Sequence, residues 1–298
     1  MKVLLIRAGA LGDTLMLMPA IAYLRKMAEI TLVGRYPAID YLSPYVDQCI
    51  DYERLGWHGL FMEGAGENPG RGFPVPDHVV AFLSDPEGNV MEKLKAWFPA
   101  ASIRIFPVFP PPEKDKIHIA LYMAQSIEAT GLTIDARRCF EDSLIMPLMA
   151  SQHPFSRNGG IVLHPGSGST DKNYPSDFWL ALIERLKDRY PGKSKRIILL
   201  LGPAEEGLLS SFREAVAEKD AELIFCPEKE TLIALLNQAS LYIGHDSGIT
   251  HLAAMMGLPV IAIFKKSSPE QWAPLGPAVK IIRDEKGGSD LIEKIIKD

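Results

Sequence analysis

The chain has 298 residues, 47% of them hydrophobic and 23% charged, with a net charge of −5. This is an ordinary globular composition at about two-domain length, and its negative balance argues against a general nucleic-acid binder, so an anionic ligand would need a local basic cluster. Three cysteines, Cys49, Cys139 and Cys226, are too few and too scattered for a disulfide framework or a zinc site, and they suit a reducing compartment.

Met1-Lys2 runs directly into an apolar stretch of four residues and then Arg7, which is too short for a secretory leader. No apolar run approaches the roughly 18 residues of a membrane span. A soluble, cytoplasmic protein is expected. Residues 3–6 read as a strand, 8–13 as a glycine-containing turn and 14–26 as a helix. A second strand is expected at 30–33. Residues 51–76, rich in Gly and Pro, read as a long irregular segment. A strand at 78–83, a helix at 89–97 and a short strand at 103–106 follow, the last running into the proline cluster of 107–112. A helix over 118–130 ends at Gly131, a suitable C-cap. Residues 132–158 show no sustained period and carry Pro147 and Pro154, so the inter-domain linker is expected there.

The second half alternates cleanly. It reads as strand 161–163, helix 176–190, strand 196–201, helix 204–219, strand 222–224, helix 231–238, strand 241–243, helix 247–256 and a closing strand 259–264. Strands alternating with helices of this length predict a parallel, doubly wound α/β sheet. Two such halves in tandem, 1–150 and 151–298, place ligands at the carboxyl ends of the strands, facing the cleft between domains.

Three loops leave strand ends with unusual polar groups. The first, Arg7-Ala8-Gly9-Ala10-Leu11-Gly12-Asp13, contains glycine but is not G-x-G-x-x-G, so a nicotinamide-type reading is poor. Asp13 either caps the helix that follows or serves as a general base aimed into the cleft. The second loop runs from His164 to Pro175. Its small residues allow close backbone approach, its hydroxyls can donate and Lys172 adds a positive charge. It is a phosphate loop or a solvated one, and it is not a Walker A loop. The third runs from Gly244 to His251, where a short strand breaks into a polar turn and Ser247 opens an apolar helix. Backbone N–H groups, hydroxyls and a helix N-terminus together suit a phosphate or diphosphate; the plainer reading is a turn with a Ser cap. His245, Asp246 and His251 do not have a recurrent metal-ligand spacing, and no G-x-S-x-G elbow is present.

With the three loops in this order the chain resembles glycosyltransferase family 9, the ADP-heptose:lipopolysaccharide heptosyltransferases. The resemblance runs through Ile6-Arg7 with Ala10-Leu11-Gly12-Asp13, then Leu163-His164-Pro165-Gly166 with Lys172 and Pro175. It continues through Asp246-Ser247-Gly248 with Thr250-His251-Leu252-Ala253-Ala254, Gly257 and Pro259-Val260. It implies a GT-B architecture of two Rossmann-like domains: an acceptor-side domain over 1–150, with the linker from about 132, and a nucleotide-sugar domain over 151–298. The last helix, near 289–297, is then expected to pack back on the first domain.

The resemblance also implies an inverting transfer of a heptose or similar sugar from an ADP-sugar to a lipopolysaccharide core or related glycan, with no metal and no cofactor. Carried over by position, Asp13 is the general base on the acceptor hydroxyl. Ser167, Gly168 and Lys172 hold the diphosphate or the donor sugar, and Asp246, Ser247, Gly248 and Thr250 line the same site. Glu205 or Glu206 holds the ribose, and the adenine lies near Thr231 and Leu232. The implied partners are a nucleotide-sugar donor and a glycolipid or oligosaccharide acceptor, without nucleic acid, and with peripheral association at the inner face of the membrane through the acceptor. Stabilising a departing diphosphate without a metal falls to a helix N-terminus and a lysine, and the sequence supplies both. The alternatives are another nucleotide-sugar enzyme of this fold, with a different donor or epimerase activity, and a non-catalytic nucleotide-sugar-binding protein. The retained Asp13 favours catalysis, since a sensor needs no base there. Departures from the family pattern are His245 where Asn or Val is common, Asn173-Tyr174 where a His/Arg-Trp type of pair is usual, and Lys265-Lys266 where Gly-Pro is usual. Residues 51–115 match little.

Overall fold

The computed structural model describes residues 1–54, 56–61, 75–112, 116–149, 159–190, 195–284 and 289–297. The chain forms two compact units, Met1–Asp142 and Ser143–Asp298. The first contains β1 (Lys2–Arg7), α1 (Leu11–Leu15), α2 (Met18–Leu24), β2 (Glu29–Gly34), α3 (Ala38–Leu42), β3 (Gln48–Asp51), β4 (His78–Phe82), α4 (Asn89–Trp97), β5 (Ser102–Phe106) and α5 (Ile119–Glu128), and α6 (Ala136–Ile145) leads out of it. The second contains β6 (Gly160–His164), α7 (Ser176–Arg189), β7 (Ile197–Leu201), α8 (Leu209–Glu218), β8 (Glu222–Phe225), α9 (Lys229–Gln238), β9 (Ala239–His245), α10 (Gly248–Met255), β10 (Val260–Phe264), α11 (Pro269–Trp272), β11 (Val279–Arg283) and α12 (Ser289–Ile296).

Both sheets are parallel, and both reverse direction in the middle. The first has the order β3-β2-β1-β4-β5 and the second β11-β10-β9-β6-β7-β8. The chain thus winds one way from β1 and the other way from β4; it does the same from β6 and from β9. Ligands of open α/β sheets bind beyond the strand ends at such switch points. The loop after β1 carries Asp13, and the loops after β6 and β9 carry Lys172 and Asp246. Fold topology therefore selects the same three loops as the residue chemistry.

The central strands are apolar because helices cover both faces. Ile197–Leu201 is buried at every position, as is Val260–Phe264. In the second unit α7 presses Trp179, Leu182, Ile183 and Leu186 into this core.

Several elements differ from the sequence reading. The single helix expected over 14–26 is two, because Pro19 lacks the N–H that would continue the ladder; it sits in the first turn of α2, where that loss is harmless. The expected linker over 132–158 contains α6. Asp135 Oδ1 accepts from the Arg138 amide at 2.9 Å in cap geometry, and α6 buries Ala136, Cys139 and Ser143, residues too small or polar to produce an apolar period. Residues 150–158 of that linker lie outside the described residues, as do residue 55 and residues 62–74 of the expected irregular segment. The series of strands does not close at β10: β11 follows, half-exposed and charged, as suits an edge strand. α12 places Leu291 and Ile295 in the second unit's core, beside α7, where its apolar stripe completes the cover of that sheet.

Candidate functional site

At the end of β1 the chain turns sharply through Gly9. A Cβ on Gly9 would stand 2.6 Å from Asp13 Cβ, so the turn closes only without one. Asp13 is not itself the N-cap residue of α1, but it stands in the first turn as the N3 acid of a capping box, so it caps and compensates the helix dipole in that form. Ala10 holds the N-cap position, and Asp13 is three residues on, with Oδ2 accepting from the Ala10 amide at 3.1 Å. Its other oxygen, Oδ1, lies 3.3 Å from Arg7 Nη2. The Arg7 guanidinium is buried at 3% side-chain exposure, while Asp13 is 26% exposed. Burial pushes Arg7 below its ordinary value, and the Asp13 charge opposes that. The Phe109 ring lies under the guanidinium, 5.8 Å from its carbon. The carboxylate is thus fixed on two sides and still reaches solvent. Arg7 belongs to the sequence motif, and the structure gives it a task there, fixing the Asp13 carboxylate; the signal in the sequence is a charged residue closing the apolar run of residues 3–6.

In the second unit, residues far apart in sequence meet at the β6/β9 switch point. Lys172, on a short 3₁₀ turn after β6, places Nζ 2.8 Å from Asp246 Oδ2. His251 Nε2 lies 3.4 Å from Asp246 Oδ1. Burial alone would raise the Asp246 carboxyl; the contacts with His251 and Lys172 outweigh it and hold the group well below the usual carboxylate range. Asp246 is therefore an anchored anion that fixes the lysine. Ser247 caps α10, its Oγ accepting from the Thr250 amide at 3.3 Å. Helix geometry leaves the Gly248 and Ile249 amides without an intrahelical acceptor. Thr250 has 0% exposure and donates its hydroxyl to the His245 carbonyl. Its side chain shapes the turn from the inside.

Ser167 donates toward Ser169 O and Asn173 Oδ1, at 2.8 and 2.7 Å, closing the β6 loop on itself, and Gly168 at its tip is exposed. Glu205, after β7, is 3% exposed and packs on Gly166, whose added Cβ would stand 2.0 Å from its carboxyl carbon. Its Oε2 accepts from the Gly202 amide at 2.8 Å. Burial pushes this carboxyl up, against the pull of that hydrogen bond. Glu206 beside it is exposed, so the two candidate acids differ in environment. Thr231 is exposed in the first turn of α9, while Leu232 is buried in the core.

A family model described as "Glycosyltransferase family 9 (heptosyltransferase)" matches residues 122–294. The chain belongs to this family. It is a glycosyltransferase with two Rossmann-like domains of the GT-B type. E. coli heptosyltransferase WaaC, solved with ADP, is 15% identical with a TM-score of 0.71, and the match covers 100% of this chain and 99% of that one. E. coli ADP-heptose lps heptosyltransferase II is 17% identical with a TM-score of 0.63, over 100% and 97%. The glycosyl transferase family 9 structure from Veillonella parvula DSM 2008 is 18% identical with a TM-score of 0.67, over 99% and 90%. At these identities the likeness is one of fold. Curated protein sequences give no significant match. Among the described residues no helix is long and apolar enough to cross a membrane.

Within this family member, His245 has a structural task. Its Nδ1–H donates to Pro165 O at 2.9 Å, and its Nε2 accepts from the Tyr174 amide at 3.1 Å. Both ring nitrogens are engaged, so the neutral tautomer with the proton on Nδ1 is fixed and the ring is not free to ligate a metal beside Asp246. Tyr174 stacks on it with centroids 5.5 Å apart. His245 thus ties the β9 strand end to both ends of the β6 loop. His164, also buried, donates to Leu200 O at 2.9 Å. Burial pushes both histidines down to about 4. Between the ordinary value near 6.5 and about 4, the unfolded chain binds protons that the folded chain refuses. Stability therefore falls as pH falls through that window, by about 1.4 kcal/mol per pH unit for each histidine. Urea midpoints taken from pH 7 to pH 5 are expected to drop, and His245→Asn, which can keep one of the two hydrogen bonds, is expected to make the drop shallower. An unchanged slope in the variant would remove His245 from the cause.

Proposed function

We propose that this glycosyltransferase moves a heptose, or a closely similar sugar, from an ADP-sugar to a hydroxyl of a lipopolysaccharide core or related glycan, with inversion and without a metal. The observation that carries the reading is the Lys172–Asp246 pair at 2.8 Å beside the Ser247-capped end of α10, at the switch point of the second sheet. A positive side chain and unpaired helix amides in one place suit the charge that develops on a departing diphosphate. In this reading Lys172 and the amides of Gly248 and Ile249 bind the diphosphate, with Ser167 and Gly168 shaping the loop around it. Asp246 holds Lys172 in place. Glu205 meets the ribose, and the adenine lies near Thr231. Asp13 takes the proton from the acceptor hydroxyl as that oxygen attacks the anomeric carbon and ADP leaves. One carboxylate suffices for such a single displacement.

The test is a donor screen read by nucleotide release, with and without candidate core oligosaccharides, followed by product analysis. ADP release from an ADP-heptose that depends on the oligosaccharide is the expected result. Acceptor-dependent turnover of another nucleotide sugar, with none of ADP-sugars, would overturn the donor assignment. Conversion of a nucleotide sugar without any acceptor would make the protein an epimerase.

A further inference from the structure

Two lysines, Lys265 and Lys266, reach the two neighbours of Lys172 in the β6 loop. Lys172 itself has its Nζ on Asp246. Lys266 Nζ lies 2.9 Å from Oδ2 of the preceding Asp171. Lys265 Nζ donates to the carbonyl of the following Asn173 at 3.2 Å and lies 5.2 Å from the centroid of the Tyr174 ring. Lys265 and Lys266 leave the carboxyl end of β10, which is paired with β9, and β9 is paired with β6. All three ammonium groups therefore belong to the same carboxyl edge as Asp246 and α10.

Asp246 is paired with Lys172 and Asp171 with Lys266, and the Asp171 carboxyl is held down first by Lys266 and also by Lys265. Among the described residues Lys265 has no carboxylate within ion-pair distance, and Asp284, bonded to the hydroxyl of the Tyr174 ring that Lys265 lies over, balances the third ammonium group. The Lys266–Asp171 pair is exposed, with side-chain exposures of 59% and 70%. An exposed pair is worth little, so Lys266 is easily given up to a stronger anion. Lys265 is likewise exposed and held by one carbonyl and one ring face.

We propose that Lys265 and Lys266 are a second cationic arm of the nucleotide site, which binds the diphosphate of the ligand from the β10 side together with Lys172. This rests on the nucleotide-sugar reading above and adds two binding residues to it. It also gives a physical use to the departure at these positions: a Gly-Pro turn brings no charge to the diphosphate, whereas two lysines add attraction that salt screens.

The test compares ADP, inorganic pyrophosphate and adenosine by calorimetry, direct or by competition, at low and high salt. The proteins are the unmodified chain, the double variant Lys265→Gln/Lys266→Gln and the charge-retaining Lys265→Arg/Lys266→Arg. The Gln variant is expected to lose about 3- to 30-fold in affinity for ADP and pyrophosphate, with adenosine unchanged and a flatter salt dependence; the Arg variant is expected to restore most of the loss. Unchanged ADP affinity in the Gln variant would overturn the proposal. So would an equal loss for ADP and adenosine, which would mean the lysines merely brace the loop. Unmodified protein that binds pyrophosphate through these lysines but not ADP would keep the cationic arm and sink the adenine-nucleotide reading. Binding of neither by the unmodified protein would sink both.

Discussion

Asp13→Asn is expected to lower turnover by about 10²–10⁴-fold, the usual contribution of a general base, while ADP affinity stays nearly intact. The local geometry makes this substitution informative. Asp13 Oδ2 accepts from the Ala10 amide at 3.1 Å, and an Asn carbonyl can do the same, so the turn keeps its backbone hydrogen bond. What Asn removes is the charge and the second acceptor, which stands 3.3 Å from Arg7 Nη2. Among the described residues, Nε and Nη2 of that buried guanidinium have no hydrogen-bond partner within good geometry. Some stability is therefore lost with the carboxylate, because a buried cation is left with weaker compensation. Thermal unfolding separates the two effects. A folded variant with normal ADP affinity and collapsed turnover assigns the base. Near-normal turnover with the true acceptor would reduce Asp13 to the partner of Ala10 and Arg7.

The second large effect is expected at Lys172. Lys172→Ala should weaken ADP-sugar binding by about 10- to 100-fold, since one charge-assisted contact contributes roughly 1.5–3 kcal/mol. The substitution also strips Asp246, 6% exposed, of its nearest cation and leaves it His251 at 3.4 Å. Because Lys172 is 32% exposed, solvent screens part of the pair, and the stability cost stays below that of breaking a fully buried one. Lys172→Arg keeps the charge and should recover part of the affinity. Calorimetry that finds donor binding unchanged in Lys172→Ala would take Lys172 out of the site.

What sequence and structure each contribute can be seen in particular residues. The hydrophobic runs 78–83, 161–163 and 259–264 could be read as strands from the chain alone, because a strand covered on both faces must be apolar throughout. α4 could be read with its bounds, Asn89–Trp97, because its apolar period follows a glycine turn and is not interrupted. β3, α6 and β11 could not: one is four residues long, one buries small and polar residues, and one is an edge interrupted by Lys280 and Arg283. Their places are set by neighbours, and local sequence does not encode neighbours strongly.

The same division holds for the site. By itself the sequence determined that this is an α/β protein of two doubly wound halves, that Asp13, Lys172 and Asp246 stand on loops at strand ends, and that their motifs resemble one glycosyltransferase family. Those properties follow from period, turn chemistry and spacing, which are local. Only the tertiary structure decided that Lys172 and Asp246, 74 residues apart, form an ion pair, that Asp13 faces Arg7, and that Glu205 packs on Gly166. It also decided that the His245 and Thr250 side chains are buried and that Lys265 and Lys266 close on the two neighbours of Lys172. The contacts of Lys172, Glu205, His245, Lys265 and Lys266 depend on strand order: β6 pairs with β9, β9 with β10 and β6 with β7. Strand order is fixed by long-range packing, which joins at one sheet edge loops that the sequence keeps far apart.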